Sequence, residues 1–369
     1  MNEPGPTIET QAGESPVVTE IPRHPRETDS WGEPEAAFSW PTTNIVLFLL
    51  TLLTTTMAGA YMAGADLSLL SPIQSLMGLA SGLSFSVPLM LILLAHEMGH
   101  FVVSRRNGVD VSPPYFIPAP FPSTFIFGTF GAFIRMRSIP RSRRAMFDIG
   151  AAGPWAGMMI ALPAVIIGLQ RSSIAPLDQA GGGLQLGNSL LFLGLSRWIL
   201  GVDPNSVNVN LHPIAFAGWI GFFVTTLNLL PVGQLDGGHV AYALFGPRHR
   251  TISRLFLLFC ALMVFVPLTI GRSYWAGWLL WVIILIALGL GHPTTFDADT
   301  PMDKPRRIAA WATIVLFILT FMPVPLSLAP AGPPPNPGDK IFQVMERIDG
   351  PNRAHHTPNI IVAPRRHFI

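Results

Sequence analysis

Three residues in one apolar stretch have the types and the spacing of a catalytic metal site. The run His96-Glu97-Met98-Gly99-His100 places two histidines four positions apart. Positions i and i+4 of a helix share a face, so both imidazoles can bind one zinc ion while Glu97 stands beside them as a base. Zinc lowers the pKa of bound water to ~7, which supplies a hydroxide-like nucleophile at neutral pH. The motif predicts zinc-assisted hydrolysis with one Zn²⁺ per chain.

The surroundings of this motif strengthen the prediction. The stretch that contains it is apolar, and a charge such as Glu97 at the centre of a bilayer helix costs roughly 2.5–3.5 kcal/mol on insertion scales. Ionisable side chains inside membranes are rare for this reason and usually mark functional sites. The alternative is a polar patch satisfied by neighbouring helices, or a proton path.

A third ligand has to come from elsewhere in the chain. A catalytic zinc ion usually has three protein ligands and one open position, and no further His or Glu follows the motif at short range. The best candidate is Asp236, in the segment 228–239 (NLLPVGQLDGGH) that ends another apolar stretch. Such proline- and glycine-rich backbone survives at membrane depth only when it is buried in protein or lines a wet cavity. The alternative role for Asp236 is a helix cap; His239 is a weaker candidate, expected to be structural.

The composition is that of a membrane protein. Of 369 residues, 50% are hydrophobic and only 12% charged, where soluble domains carry about 25% charged residues; the mean hydropathy is +0.45. The net charge of +2 gives no basic field, so nucleic acid is not expected as a partner. The single cysteine, Cys260, excludes an internal disulfide and a thiolate cluster, so His, Asp or Glu must hold any metal.

Seven apolar stretches are candidate membrane spans, and two shorter ones, 67–82 and 186–201, could be re-entrant or interfacial. The sequence therefore predicts an all-α polytopic membrane protein with about six to eight transmembrane helices. The candidate spans are residues 44–65, 83–103, 149–169, 213–230, 255–270, 275–290 and 308–328.

Arginines set the predicted orientation. Seven of them lie between the second and third spans, and by the positive-inside rule that loop faces the cytoplasm. Arg248, Arg250 and Arg254 follow Asp236 on the same side, so both groups of predicted ligands arrive at one membrane face. Because lysines are nearly absent, we attribute the arginine content to base composition and expect a prokaryotic inner membrane. The seven are Arg105, Arg106, Arg135, Arg137, Arg141, Arg143 and Arg144.

A β-hairpin is predicted between the second and third spans, either re-entrant or cytoplasmic. In residues 125–139 Phe and Ile alternate with smaller or charged residues, and Gly128 and Gly131 interrupt the pattern. An edge strand there could pair with an unwound substrate, which makes Gly128 and Gly131 candidate substrate-binding residues. A hairpin with no such role is the alternative.

The sequence also predicts two polar tails and roles for several other polar residues. Residues 1–40 read as a disordered acidic, proline-rich tail, 41–330 as the transmembrane domain with its core at about 83–240, and 331–369 as a second polar tail. Asp148 is expected to cap the third span, and His212 to mark the start of the fourth. Finally, a group of polar residues after the sixth span is either a second metal site or an ordinary loop: His292, Asp297, Asp299 and Asp303.

The two motifs together resemble those of the site-2 protease family of intramembrane zinc metalloproteases. His-Glu-x-x-His in one span is paired with Asn-x-x-Pro-x-x-x-x-Asp-Gly in a later one, and residues 135–157 (RMRSIPRSRRAMFDIGAAGPWAG) are similar to the branch without a PDZ domain, with plant chloroplast and prokaryotic members. The resemblance is strongest over 83–238. It implies Zn²⁺ held by His96, His100 and Asp236, with Glu97 as general base.

The same resemblance implies that Asn228 and Pro231 position the substrate strand or the developing oxyanion. It also implies a membrane-anchored protein substrate, cut within or near its transmembrane helix. Two other classes stay open: a divalent-metal transporter, disfavoured because it would have little use for an unligated base at Glu97, and a non-catalytic membrane scaffold. The sequence does not indicate an oligomeric state.

Overall fold

The computed structural model describes residues 41–65, 67, 72–121, 123, 125–175, 184–202, 207–270, 275–291, 301–328 and 361–362. The first predicted tail and nearly all of the second lie outside the described residues. So do His292, Asp297 and Asp299 of the suggested second metal site.

The described part of the chain is mostly helical, and the helices follow the predicted apolar stretches. All nine stretches considered above, including the two short ones, contain a helix. The helices are α1 Thr42–Met62, α2 Pro72–Ser81, α3 Leu83–Arg106, α4 Arg143–Gln170, α5 Leu190–Leu200, α6 Pro213–Asn228, α7 Asp236–Phe245, α8 His249–Thr269, α9 Gly277–Leu288 and α10 Lys304–Thr320.

Four helical stretches in the described chain are long and apolar enough to cross a bilayer, which indicates an integral membrane protein. They are α1, α3, α4 and the 34 residues Asp236–Thr269 that contain α7 and α8, whereas α5, α6 and α9 are apolar but shorter. The predicted count of six to eight spans is therefore not confirmed. Large apolar side chains on the outer helices are more than half exposed, as expected of a surface that faces lipid; examples are Leu49, Leu255, Ile283 and Ile308.

Helices α3, α4 and α6 form the centre of the molecule. Their contact surfaces bury Phe85, Leu89, Phe216 and Trp219 almost completely. A side chain at Gly168 of α4 would overlap the backbone at Ala215 of α6, so small residues set the helix separation. Close packing through small residues is the usual way in which membrane helices associate.

The region between α3 and α4 contains a pair of antiparallel strands, but not in the position where the sequence predicts a hairpin. Strand β1, Tyr115–Pro118, pairs antiparallel with β2, Thr129–Phe133, with Phe116 opposite Ala132. Only one strand thus lies within 125–139, and its partner comes from the preceding proline-rich stretch. Proline lacks an N–H but is tolerated in an extended edge strand, so this stretch can still form a strand. The predicted hairpin is not confirmed in its expected position.

A small five-stranded sheet is formed by short strands that precede or follow several of the helices. Its order is β3-β5-β7-β4-β6, with β7 parallel to β4 and the other pairs antiparallel. The Nε1–H of Trp219 in α6 donates to the Gly187 carbonyl just after β4, at 2.8 Å. The strands are β3 Ser173–Ala175, β4 Leu184–Leu186, β5 Asn208–Asn210, β6 Leu326–Leu328 and β7 Ile361–Val362.

Two glycines with positive φ mark turns in the segment after α6. Gly233 has φ +56°, which favours glycine, and it lies in the loop that leads into α7. The chain turns again at Gly246, with φ +59°. Helix α8 then folds back, so that Ser253 Oγ donates to the Pro231 carbonyl at 3.0 Å. This arrangement holds the first residue of α7, Asp236, inside the molecule.

Candidate metal centre

Helix α3 brings three of the predicted residues to one buried place. His96, Glu97 and His100 are 4%, 6% and 7% exposed. The two imidazoles, one helical turn apart, have their Nε2 atoms 3.2 Å from each other. Two ring nitrogens therefore point at the same small volume, as the spacing predicts.

The third predicted ligand, Asp236, comes to the same point from α7. Its Oδ2 lies 3.4 Å from His96 Nε2 and 3.1 Å from His100 Nε2. Ligand atoms at ~2.0–2.1 Å from a tetrahedral zinc ion lie about 3.3 Å apart, so the three atoms have the separations that such an ion requires. Among the described residues, these three form the group of His, Asp, Glu and Cys side chains able to hold a metal ion.

A backbone carbonyl orients the His100 imidazole, and a side-chain amide lies beside His96. The Nδ1 of His100 lies 2.8 Å from the Ile149 carbonyl of α4, and this contact favours the tautomer with its proton on Nδ1 and a free lone pair on Nε2. The side-chain amide of Asn228, the last residue of α6, lies 3.0 Å from His96 Nε2. The structure thus brings Asn228, predicted only through the family resemblance, into direct contact with the cluster.

Three glycines of α4 leave room for these side chains. A Cβ at Gly153 would overlap the His100 ring, and one at Gly157 would lie 3.2 Å from His96 Cβ. On the neighbouring turn, a Cβ at Gly150 would lie 2.6 Å from His239 Cβ. Helix α3 therefore approaches α4 closely at Gly153 and Gly157.

The other predicted site residues are placed in different ways. Gly128 has φ +66°, and its carbonyl accepts a hydrogen bond from Thr54 Oγ1 of α1 at 2.7 Å. Gly131 has φ +97°, and nothing lies within 4 Å of the Cβ it would carry. Pro231 lies in the loop before α7 with its carbonyl bonded to α8. These three residues are not part of the cluster of candidate ligands.

Sequence reasoning missed one contact of the predicted base. The backbone N–H of Ile134, the residue after β2, faces the Glu97 carboxylate. Strand β2 therefore ends beside the candidate metal centre. Any residue type supplies a backbone N–H, so no sequence signal could have identified this contact.

Two expectations about individual residues have clear outcomes. Helix α4 is capped by Ser142, whose Oγ accepts from the Ala145 N–H at 3.2 Å, so the prediction that Asp148 caps it is wrong. His212 does cap α6: its Nδ1 accepts from the Ile214 N–H at 3.3 Å. Burial, with a smaller contribution from Arg171, lowers the pKa of His212, which favours the neutral, accepting ring.

Comparison with known proteins agrees with the predicted family. The model of Peptidase family M50 matches residues 84–268, which is half of the chain and contains every candidate ligand. Among curated proteins, the "probable zinc metalloprotease EGY2, chloroplastic" of Arabidopsis thaliana is 27% identical over 325 residues, covering 86% of this chain and 54% of the relative. The "probable zinc metalloprotease EGY1, chloroplastic" of the same plant is 33% identical over 242 residues, covering 63% and 41%.

The chain spans about half the length of the curated relatives it matches. Their names place those proteins in chloroplasts, so the expectation of a prokaryotic inner membrane gains no support from them. The extent of the family match, together with the convergence of its motifs on one buried point, shows that this chain belongs to Peptidase family M50, the site-2 protease family.

Proposed function

We propose that the chain is an intramembrane zinc endopeptidase that cuts membrane-anchored proteins within or near their transmembrane helices. The observation that carries this proposal is the meeting of His96, His100 and Asp236 within 3.4 Å of one another, with Glu97 buried beside them. The names of the relatives, zinc metalloproteases, support the choice of metal.

In this proposal, His96, His100 and Asp236 hold the zinc ion through Nε2, Nε2 and Oδ2. A zinc ion with three protein ligands and one open position activates water as a nucleophile and polarises a substrate carbonyl. The Ile149 carbonyl keeps the proton of His100 on Nδ1, so that Nε2 stays a ligand. The glycines of α4 let both rings sit against the helix without distortion.

Glu97 acts as general base and then as general acid. It takes a proton from the attacking water and passes it to the amine that leaves when the peptide bond breaks, a role typically worth 10²–10⁴-fold in rate. Its carboxylate is buried, with the Ile134 N–H facing it.

Asn228 is placed to stabilise the oxyanion. Its amide lies 3.0 Å from His96 Nε2, next to the point where a substrate carbonyl would be polarised. A donor fixed in that position stabilises negative charge as it develops on the carbonyl oxygen. Pro231 contributes indirectly, because it shapes the loop that leads from Asn228 to Asp236.

Strand β2 is the proposed docking edge for substrate. A transmembrane helix hides its amides in internal hydrogen bonds, so it must unwind locally before it can be cut. Within the described residues β2 pairs only with β1, and an unpaired edge can bind an extended peptide by strand addition. Gly128, with φ +66°, directly precedes β2, and Gly131, with φ +97°, lies within it; Ile134, the residue after β2, lies beside Glu97.

The proposed topology has six to eight spans, with the active site toward the cytoplasmic side. Helix α3 ends in Arg105 and Arg106, which lie five and six residues after His100. The arginine-rich end of a membrane helix normally faces the cytoplasm.

The test is Glu97→Gln in the purified, detergent-solubilised chain, with zinc analysis and a cleavage assay on a membrane-anchored substrate. The variant should keep one zinc ion per chain, because Glu97 is not a ligand, and should lose roughly 10²–10⁴-fold in cleavage rate. Asp110→Asn is the matched control: it makes the same carboxylate-to-amide change at an exposed residue and should cut normally. Normal cutting by Glu97→Gln contradicts the proposal.

A further inference from the structure

The start of α10 is joined to α4 by a bidentate ion pair. Arg306 donates from Nε to Asp148 Oδ1 at 2.8 Å and from Nη2 to Asp148 Oδ2 at 2.7 Å. Its Nη1 donates to Asp303 Oδ2, also at 2.8 Å. Two parallel hydrogen bonds between guanidinium and carboxylate fix orientation as well as distance. Since the side chains of Asp148 and Arg306 are only 23% and 35% exposed, solvent screens the pair only in part.

A second bond continues this contact along both helices. The Nε1–H of Trp155 donates to Thr313 Oγ1 at 3.0 Å. Trp155 follows Asp148 by seven residues, and Thr313 follows Arg306 by seven, which is two helical turns in each case. Helices α4 and α10 therefore run side by side in the same direction. Their bonded residues repeat on one face of each helix.

The turn of α4 that Arg306 holds is the turn that orients the candidate metal ligands. Ile149, the residue after Asp148, offers its carbonyl to His100 Nδ1 at 2.8 Å. Gly150, the next residue, lies against His239 and the Asp236 backbone. An apolar cluster joins α4, α7 and α10 around this turn: Phe147, Ala151, Val240, Ala243, Met302 and Ala310.

We propose that Arg306 is a positioning residue for the metal centre. By clamping Asp148 it fixes the α4 turn whose Ile149 carbonyl sets the tautomer and the direction of the His100 ring. Arg306 touches no ligand itself. It lies outside residues 84–268, the part that matches the family model, so the helix that carries it adds support to the site from beyond the matched core. The inference rests on the proposed metal-binding role of His96, His100 and Asp236.

The experiment measures metal binding directly in the full-length chain in detergent. Co²⁺ serves as the probe, because its visible absorption reports ligand geometry, and Zn²⁺ affinity is obtained by competition. Arg306→Gln should weaken Zn²⁺ binding about tenfold, the lower end of the range for groups that orient metal ligands. It should also change the Co²⁺ spectrum. Asp148→Asn should do the same, and the double variant should be no worse than Arg306→Gln alone, because both changes remove the pair between Arg306 and Asp148.

Two matched controls separate positioning from general stability. Arg307→Gln changes the same residue type at the next, exposed position and should leave metal affinity and spectrum unchanged. Thr313→Val removes the other bond between α4 and α10, away from the Ile149 turn. It should lower thermal stability without altering metal affinity.

The proposal is overturned if Arg306→Gln binds Co²⁺ with the wild-type affinity and spectrum, or if Thr313→Val weakens binding as much. If Arg306→Gln does not fold, Arg306→Lys is used instead. Lysine keeps the charge but cannot form the two parallel hydrogen bonds of the guanidinium group. An intermediate loss of affinity is then expected, and a wild-type value counts against the idea. Because metal binding is read directly, a wild-type chain that binds Zn²⁺ but cuts nothing refutes the protease proposal alone.

Discussion

At the scale of single residues, the candidate metal centre depends on the absence of a side chain at Gly153. A Cβ there would overlap the His100 imidazole, so Gly153→Ala must push the ring away from Asp236. We expect a loss of roughly 10–100-fold in zinc affinity, the range seen when a metal ligand loses its support. Competition titration with a chromophoric chelator measures it.

Gly194→Ala is the matched control for this prediction. Gly194 lies in α5 with nothing within 4 Å of its would-be Cβ, and alanine also favours helix. The control should bind zinc like the wild type. Equal zinc affinity in the two variants would mean that the fit between Gly153 and His100 has no importance for the metal.

Residue types and spacing were enough to single out His96, Glu97 and His100 as candidates, because side-chain chemistry on one helix face follows a fixed period. Asp236 could be named as a candidate from its proline- and glycine-rich surroundings, but the structure was needed to show its distance of 3.1 Å from His100. The Ile149 carbonyl and the Ile134 N–H could not be predicted, since every residue carries these groups.

At the scale of secondary-structure elements, the proposed docking role of β2 can be tested with proline. Proline removes a backbone N–H, so substitution of Phe130 and Ala132 in turn removes donors from β2 and leaves the Ile134 N–H beside Glu97 in place. If substrate pairs with this edge, at least one variant should lose about tenfold or more in cleavage rate, equivalent to ~1.4 kcal/mol or one to two hydrogen bonds. Kinetics on one membrane substrate, alongside zinc analysis, measures this.

The control for the proline series keeps the N–H. Phe130→Ala removes only a side chain that is 56% exposed, so this variant should retain most of its activity. A full set of proline variants that cut at the wild-type rate rules out strand addition at β2.

The existence of most helices was predictable and their limits were not. Helix α4 begins at Arg143, six residues before the predicted span, because the hydrophobic pattern marks the part suited to lipid while Ser142 caps the helix in the polar region. The pairing of β1 with β2 was missed for a related reason. Prolines remove the alternation on which strand prediction depends, although an edge strand tolerates them.

At the scale of the whole molecule, the helix directions follow from contacts between distant segments. The Asn44 side chain at the start of α1 donates to the Pro113 and Pro114 carbonyls, just past the end of α3. Arg143 Nη2, at the start of α4, donates to the Ala243 carbonyl near the end of α7, at 2.7 Å. These ends therefore share the arginine-rich face. The sequence could assign that face from charge alone, but not which helices meet there.

The opposite face is defined by the end of α4 and the start of α6, where the His212 N–H donates to Ser172 Oγ at 3.0 Å. If the arginine-rich face is cytoplasmic, reporters fused after Arg105 and Arg248 should report a cytoplasmic location. A reporter fused after Gly201 should report a location outside the cytoplasm. Arg171 and Arg197 on that face are outnumbered by the arginines at the end of α3 and the start of α4, so they should not reverse the orientation. Expression of paired reporters in a bacterial host reads the result directly. If the fusions after Arg105 and Gly201 report the same side, α4 does not cross the bilayer and a cytoplasmic-facing metal centre loses its basis.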